Sequence, residues 1–304
     1  MARSENPTGA LLMMGSMAAF TINDTMMKTM SGEVPLFQLL FLRGVLTTVL
    51  VAVIAARMGA LRARPTRRDW GLIGWRAVAE TGAAYFFLTA LFHMPLANVT
   101  AILQTMPLTV TLAAWLFLRE PVGWPRLLAI AVGFAGVLLI VRPGAADFNS
   151  YSIYALVAVG FATLRDLVTR RMSAATPSIL VTLVTSAVVM AAFGLAGLGG
   201  EWVAMTGREI GLTAGAGLMI IGAYLFAIMV MRVGEISVVA PFRYTGLVWA
   251  LVLGWSVFGD WPDLPTLIGA AIIAGSGLFT FWRESRLARA ARIARAPRVR
   301  PRGM

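Results

Sequence analysis

The chain has 304 residues, of which 59% are apolar and 13% are charged, whereas soluble globular domains are about 45–50% apolar and about 25% charged. This excess of apolar side chains excludes a soluble globular protein and indicates an integral membrane protein. The formal net charge of +12 does not indicate nucleic-acid binding, because the arginines are sorted along the chain as in a membrane protein. The chain has no cysteine and a single histidine, His93, which excludes thiol catalysis and histidine metal clusters. We expect no metal and no cofactor.

Ten apolar segments follow one another along the chain, each close to the length of about 20 residues that a helix needs to cross the hydrocarbon. They are long and do not alternate in polarity, so they predict helices rather than the strands of a barrel. The short loops leave no room for a separate catalytic domain. The predicted spans 1 to 10 cover residues 9–28, 35–57, 70–92, 96–118, 124–141, 151–172, 177–198, 208–231, 236–258 and 263–282.

The distribution of lysine and arginine fixes the orientation of these spans. If the N-terminus is cytoplasmic, the external segments hold only Lys28, Arg142 and Arg208, while most of the 26 basic residues fall on the cytoplasmic side. Because positive charge concentrates in cytoplasmic loops, both termini are expected in the cytoplasm of a bacterium, with the protein in its inner membrane. Arginines recur every three residues in the tail, which indicates either a helix on anionic headgroups or a solvated topology anchor.

The two halves of the chain resemble each other. A shift of 140 residues places Gly222 on Gly82 and Trp255 on Trp115 without gaps. Each half holds five spans, so the second half must insert upside down, an arrangement typical of secondary transporters with a site near the midplane. The predicted fold is therefore an all-α integral membrane protein of ten transmembrane helices in two inverted five-helix repeats. The predicted domains are a first repeat at 1–145, a second at 146–282 and a basic cytoplasmic tail at 283–304.

Residues 95–144 carry an Arg-Glu-Pro turn at 119–121 and a Gly133-x-x-Gly136 pair, and residues 241–284 repeat this pattern. The chain resembles in these features the EamA family of the drug/metabolite transporter superfamily. The resemblance implies ten helices, a central cavity lined by spans 1, 3, 4, 6, 8 and 9, and secondary transport of metabolites. The residues Phe-Arg-Tyr-Thr at 242–245 and Phe-Gly-Asp at 258–260 most resemble those of the branch with S-adenosylmethionine and riboflavin uptake proteins. The family also includes amino-acid exporters.

Seven ionisable residues fall inside the predicted spans, where each costs at least about 2.5–3.5 kcal/mol and needs a partner or a water-filled cavity. Arg76 and Glu80 are four residues apart and share one helix face. They form either an internal ion pair or a site in which Glu80 binds a proton or a substrate amine. The seven are Asp24, Arg43, Arg76, Glu80, Arg165, Asp166 and Arg243.

Two further groupings follow from the same residues. Asp24 and Arg43 lie at similar depth on consecutive spans, so we expect them to pair, with Asn23 as a polar group facing the cavity. Arg165 and Asp166 are adjacent, and their side chains leave the helix about 100° apart. We therefore expect them not to share a partner, with one facing the cavity.

Arg243 and Tyr244 form the predicted contact for a substrate anion and an aromatic ring, since a guanidinium binds carboxylate or phosphate bidentately and stacks on rings. The alternative is that Arg243 pairs with Glu80 or Asp166. Other aromatic residues could line the cavity, or could serve packing and the interfacial belt. These candidates are Tyr85, Trp115, Phe161, Tyr224 and Trp249.

Two features of the spans concern packing and motion. Pro107 interrupts span 4 and removes a backbone hydrogen bond, which predicts a kink that could act as a hinge. Glycines on spans 5 and 8 favour close helix packing. They are Gly133, Gly136, Gly211, Gly215 and Gly222.

The sequence thus predicts a secondary transporter that moves a small polar or amphipathic organic metabolite by alternating access, most simply S-adenosylmethionine-like or other cofactor uptake. Energy would come from exchange or from protons, with Glu80 and Asp24 as coupling groups. The alternatives are an amino-acid exporter and, in another class, a channel or structural membrane protein; an enzyme is not expected. The expected partners are the substrate and membrane lipids, with no nucleic acid, and the protein is a monomer or homodimer.

Overall fold

The computed structural model describes residues 6–119, 122–144, 148–173, 175–233 and 239–295, and within these ranges all regular structure is helical. The predicted turn acid Glu120, the repeat segment at 234–238 and the tail beyond 295 lie outside the described residues. Eleven α-helices occur in the described chain, with short 3-10 segments at Ala60–Arg62 and Ala240–Tyr244. The helices are α1 Asn6–Thr29, α2 Leu36–Arg57, α3 Arg67–His93, α4 Leu96–Leu103, α5 Met106–Leu118, α6 Trp124–Val141, α7 Tyr151–Arg170, α8 Ser178–Ala196, α9 Gly207–Val233, α10 Thr245–Phe258 and α11 Leu264–Arg295.

Seven helical spans of the described chain are long and apolar enough to cross a membrane, which makes the chain a multi-pass membrane protein. Predicted spans 1, 3 and 9 are not among them. Helices α1 and α3 contain polar and ionisable residues that lower their hydropathy, and α10 has only 14 residues. The seven are Leu36–Arg57, Leu96–Leu118, Trp124–Val141, Tyr151–Arg170, Ser178–Ala196, Gly207–Ala227 and Leu264–Leu287.

The most extensive helix contacts all join the first part of the chain to the second. Helix α1 packs on α9, α3 on α7, α6 on α11 and α2 on α8, while α4 packs on α10. The apolar core follows these pairings, since Leu39 and Leu88 of the first part cluster with Phe193 and Ala250 of the second. The two parts therefore interdigitate rather than fold as separate bodies. The predicted inverted repeat is compatible with this packing and stays a prediction.

Helices α6 and α11 approach each other at backbone distance. A Cβ atom built on Gly136 would lie 2.8 Å from the carbonyl oxygen of Gly269, and one on Gly269 would lie 2.6 Å from the carbonyl oxygen of Gly136. Only glycine permits this contact, so the predicted close packing at Gly136 is confirmed.

The other predicted packing glycines divide into two groups. A Cβ atom on Gly133 would clash with Leu108, and one on Gly215 would lie 3.1 Å from Met26, so close packing is confirmed at both. A Cβ atom on Gly211 or Gly222 would meet nothing within 4 Å. The packing prediction is wrong at these two positions, because a side chain there would meet no neighbouring atom.

Candidate functional site

Two predicted spans, 4 and 9, depart from regular α-helix within the described residues. Span 4 breaks at Gln104 and Thr105, between α4 and α5, and Pro107 lies in the first turn of α5. Proline fits there because the first amide groups of a helix have no intrahelical acceptor. The predicted interruption of span 4 is confirmed, and the role of Pro107 as a hinge stays a prediction. The 3-10 segment Ala240–Tyr244, which also begins with a proline in its first turn, precedes α10 in the same way.

A hydrogen bond joins the two interruptions. The side-chain amide of Gln104 donates to the carbonyl oxygen of Arg243 at 2.8 Å. Gly246 makes room for this amide, since a Cβ atom there would lie 3.1 Å from Nε2 of Gln104. Under the 140-residue shift Gln104 corresponds to Tyr244. The sequence reasoning missed Gln104, although a glutamine in an apolar span just before a proline is a visible signal.

Glu80 of α3 lies between two arginines. It accepts from Nη1 of Arg165 on α7 at 3.3 Å and forms an ion pair with Nη1 of Arg76 at 3.5 Å. The predicted pairing of Arg76 with Glu80 is therefore confirmed. Arg165 also donates through Nε to Asp166 at 2.9 Å. The expectation that Arg165 and Asp166 would not share a partner stays a prediction. The two residues pair with each other because the arginine side chain is long enough to turn back to its neighbour.

Asn23 connects the charged groups of α1 and α2. Arg43 donates to Oδ1 of Asn23 at 3.3 Å, and the amide of Asn23 donates to Oδ1 of Asp24 at 2.9 Å. The expected direct pair between Asp24 and Arg43 is thus replaced by a bridge through the amide. Asn23 is 2% exposed, and its role as a group facing the cavity stays a prediction.

Arg243 makes no ion pair within 4 Å with a carboxylate in the described part of the chain, and its buried Nε atom has no hydrogen-bond acceptor. The expected alternative pairing with Glu80 or Asp166 is not formed. Tyr244 is buried in the apolar core near Ile102. Its hydroxyl group has no hydrogen-bond partner among the described residues and lies against Gly277 of α11. Arg243 and Tyr244 therefore differ in environment although they are adjacent in sequence.

The intramembrane charges do not balance among the described residues. The predicted spans contain four described arginines and three described carboxylates inside the membrane, namely Arg43, Arg76, Arg165 and Arg243 against Asp24, Glu80 and Asp166. These groups lie near one another across helices: Tyr224 lies near Glu80, Arg165, Arg76 and Arg43, and Arg243 lies near Asp166 and Arg165. We name this set, with Asn23 and Tyr224, the central cluster. It holds one more positive than negative charge.

The predicted aromatic residues fall into two groups. Tyr85 stacks on Phe37 at 6.0 Å between ring centroids, and Phe161 stacks on Phe86 at 5.6 Å, so both lie inside the bundle. Tyr224 makes an edge contact with Phe20 at 5.3 Å and keeps 39% of its surface exposed.

Trp115 and Trp249 belong to the second group. They are 39% and 38% exposed, and no ring contact in the described part of the chain involves either of them. The structure does not bring them into contact with the central cluster. Two surface grooves, one of about 360 Å³ between α6 and α11 and one of about 330 Å³ between α1, α9 and α10, contain none of the predicted site residues.

Hydrogen bonds close the end of the bundle that the charge distribution predicts to be external. Lys28 of α1 donates to the carbonyl oxygens of Leu91 at 2.9 Å and Met94 at 2.7 Å, and its ammonium group lies 5.4 Å from the centroid of the Phe258 ring. Arg208 pairs with Glu33 at 2.9 Å nearby. Sequence reasoning placed Lys28 in an external segment and missed its contacts, which depend on the packing of α1 against α3.

Contacts at the opposite end involve Asp69 at the start of α3. Its carboxylate accepts from the amide of Ser173 at 3.1 Å and from the hydroxyl groups of Thr176 at 3.2 Å and Thr66 at 3.0 Å. The hydrogen bond from Ser173, with those from the threonines, lowers the pKa of Asp69 below its ordinary value. These bonds join α3 to the loop between α7 and α8.

Comparison with known proteins adds to this geometry. Residues 7–142 match the EamA-like transporter family. A riboflavin transporter of Vibrio cholerae is 31% identical over 228 residues, which cover 73% of this chain and 76% of that protein. An S-adenosylmethionine uptake transporter of Rickettsia bellii is 27% identical over 277 residues, which cover 89% of this chain and 92% of that transporter.

Two further likenesses concern direction and fold. The pseudopaline exporter CntI of Pseudomonas aeruginosa is 26% identical over 88% of this chain and 93% of its own. A solved crystal structure superposes with a TM-score of 0.65 over 92% of this chain and 99% of its own, at 19% identity. At that identity the likeness concerns the fold alone. A protein named for uptake and one named for export thus both occur among proteins of similar sequence.

Proposed function

Because this chain belongs to the EamA-like transporter family and transports metabolites, we propose that the central cluster is its substrate site. The observation that carries the proposal is the surplus guanidinium group of Arg243 at the junction of the two interrupted helices. A charge at this depth is expensive without a counter-ion. Substrate binding would supply that counter-ion.

The proposed substrate is a small organic metabolite with a carboxylate or phosphate group and a polar or aromatic remainder. Arg243 would bind the anionic group, because a guanidinium matches the geometry of both anions. Glu80 would contact a cationic part, and Tyr224 would offer an aromatic face. Tyr85 and Phe161 would form apolar walls. S-adenosylmethionine, which carries a carboxylate and cationic groups, fits this description, and similar proteins are named for its uptake.

The proposed mechanism is alternating access between two inverted halves, with α1, α3 and α10 crossing the inner membrane of a bacterium beside the seven apolar spans. Both termini would be cytoplasmic, as the arginine distribution predicts. The interrupted helices at Gln104 and Arg243 lie where transporters of this kind bind substrate. Pro107 would serve as the hinge, since it leaves backbone groups of α4 without helical partners.

Of the two proton-coupling candidates, Asp24 suits the role better than Glu80. Two guanidinium groups contact Glu80, whereas the hydrogen-bond donor to Asp24 is the uncharged amide of Asn23. Protonation of Glu80 would leave two arginines without their counter-ion. Protonation of Asp24 would cost one charge-assisted hydrogen bond. We therefore assign the proton to Asp24 and the substrate contact to Glu80.

Uptake by purified protein in liposomes tests the proposal. Labelled S-adenosylmethionine, riboflavin and amino acids would each be offered under a proton gradient and under exchange with internal substrate. Arg243→Gln should abolish accumulation of the transported compound, while Arg62→Gln, which removes an exposed cytoplasmic charge, should leave it intact. Accumulation by Arg243→Gln at the native level would refute the assignment. Flux without accumulation against a gradient would indicate a channel.

Export is the second candidate, favoured by the similarity to the pseudopaline exporter. The central cluster gives no direction by itself, because a site that alternates between two sides can load from either. Two liposome preparations, in which the protein is inserted in opposite orientations, separate import from export. Accumulation only in liposomes whose protein presents its cytoplasmic end to the substrate would establish export.

A further inference from the structure

The groove between α6 and α11 lies away from the central cluster and is apolar. Leu128 and Val132 of α6 and Phe279 of α11 line it and are exposed, with Pro125 and Gly275 at its sides. Its volume of about 360 Å³ is large enough to hold part of a long apolar chain. Since both helices are membrane spans, the groove opens toward hydrocarbon.

The groove leads into an aromatic zone and then a basic one along the same face of α11. Trp282 and Arg283 follow Phe279 by three and four residues, and Arg286 follows Trp282 by four. These side chains therefore lie along one face. Arg286 stacks on the ring of Trp282 at 4.4 Å. The rise from Ser276 to Arg283 is about 10 Å. An apolar groove is thus followed by an interfacial ring and then by cations, in the order of the layers of a lipid leaflet.

The start of α6 completes the basic zone. A Cβ atom on Gly123 would lie 3.7 Å from Nη2 of Arg283 and 3.9 Å from Nη1, so this guanidinium group extends from α11 to the N-terminus of α6. Trp124, the first residue of α6, is 79% exposed beside it. Residues 279–289 hold three arginines against one glutamate. The end of the groove therefore favours an anionic headgroup.

We propose that this groove binds one anionic glycerophospholipid of the cytoplasmic leaflet. Its acyl chain would lie against Leu128, Val132 and Phe279, and its phosphate would contact Arg283 and Arg286. Basic pockets between helices on the cytoplasmic side bind anionic headgroups by this chemistry. A second copy of the chain could cover the apolar part of the groove. It would bring the same arginines close to the interface, and repulsion between them disfavours that occupant.

Native mass spectrometry of the full chain, titrated with phosphatidylglycerol or phosphatidylcholine in detergent, tests the proposal. Phosphatidylglycerol should bind more tightly than phosphatidylcholine. The double variant Arg283→Gln/Arg286→Gln should bind phosphatidylglycerol about thirty-fold more weakly, which corresponds to about 1 kcal/mol for each basic residue near the headgroups. Arg62→Gln/Arg64→Gln, with the same change of charge in the loop before α3, should bind as the native protein does.

A second variant tests the acyl part without a change of charge. Val132→Trp fills the groove and should weaken both lipids, with an unchanged thermal midpoint in detergent as the check on folding. The proposal fails if Arg62→Gln/Arg64→Gln loses as much affinity for phosphatidylglycerol as Arg283→Gln/Arg286→Gln does. It also fails if Val132→Trp binds both lipids as tightly as the native protein. It also fails if light scattering finds a native dimer that Val132→Trp converts to a monomer, because the groove would then hold a second copy.

Discussion

The side-chain amide of Gln104 donates a hydrogen bond to the main-chain carbonyl of Arg243 at 2.8 Å, so one side chain holds two interrupted helices together. Gln104→Leu removes this donor and leaves the carbonyl unsatisfied, which should destabilise the protein by about 1–3 kcal/mol. The transport rate per folded molecule should also fall, because Arg243 loses its fixed position.

Gln38→Leu is the matched control for this prediction. Gln38 is also buried and exchanges two hydrogen bonds with the backbone of Val203, at 2.8 and 3.0 Å, near the external end. The Gln38→Leu variant should lose as much thermal stability as Gln104→Leu does, and it should keep its transport rate per folded molecule. Equal loss of transport in the two variants would show that Gln104 has a structural role only.

Asp24→Asn should uncouple transport from the proton gradient. The variant keeps a hydrogen-bonding side chain beside Asn23 and cannot exchange a proton, so exchange of internal for external substrate should persist while proton-driven accumulation stops. Both activities are measured in the same liposomes. Glu33→Gln, which alters an exposed carboxylate paired with Arg208, should retain both. Proton-driven accumulation by Asp24→Asn would transfer the coupling role to another group.

Gly136→Ala should destabilise the α6–α11 contact by about 1–3 kcal/mol, because its Cβ atom would meet the carbonyl oxygen of Gly269 at 2.8 Å. Gly222→Ala makes the same change in a helix where nothing lies within 4 Å, and should be neutral or slightly stabilising. Thermal unfolding in detergent compares the two. A Gly136→Ala protein as stable as Gly222→Ala would contradict the packing.

Lys28→Met should open the external end of the bundle, since it removes the donor to the carbonyl oxygens of Leu91 and Met94. The chain has no cysteine, so a single Tyr85→Cys substitution gives a probe without background. A membrane-impermeant maleimide added outside should label this cysteine several-fold faster when Lys28→Met is present. Glu33→Gln should change the rate little, because exposed ion pairs contribute little. An unchanged rate in Lys28→Met would count against a closing role for Lys28.

The lowered pKa of Asp69 predicts a specific response to acid. The ionised carboxylate accepts bonds from Ser173, Thr66 and Thr176, so its contribution is complete above the unfolded pKa of about 3.9 and is lost as the pH falls through the lower folded pKa. Asp69→Asn should therefore be less stable than the native protein at neutral pH, and the stabilities of the two proteins should become similar in acid. A difference between the two that stays constant from pH 7 to pH 3 would show that the charge is unimportant.

Sequence reasoning predicted what depends on local spacing and missed what depends on tertiary approach. Arg76 and Glu80 pair because four residues of helix fix their distance, which needs no knowledge of the fold. The bridge of Asn23 between Asp24 and Arg43 depends on the rotation of α1 about its own axis, and hydropathy does not report rotation.

The length of side chains limits the same reasoning. Arg165 reaches Asp166 although their Cβ atoms point apart, because its guanidinium group is several bonds from the backbone. The contact of Gln104 with Arg243 joins residues 139 positions apart, and only the packed bundle brings them together. Composition and length predicted ten spans, of which seven are long and apolar enough to cross a membrane in the described chain. Helices α1, α3 and α10 fall short because of their polar residues or their short length.

The contact between Gly136 and Gly269 has a mechanical consequence. Backbone atoms in contact leave no side chain that could change rotamer, so the two helices cannot slide past each other without a clash. Rotation about the crossing point is the movement that remains. Helices α6 and α11 are the last spans of the two predicted halves, and they hold none of the central cluster. Under the proposed alternating access, this contact would serve as the pivot, and the central cluster would move about it.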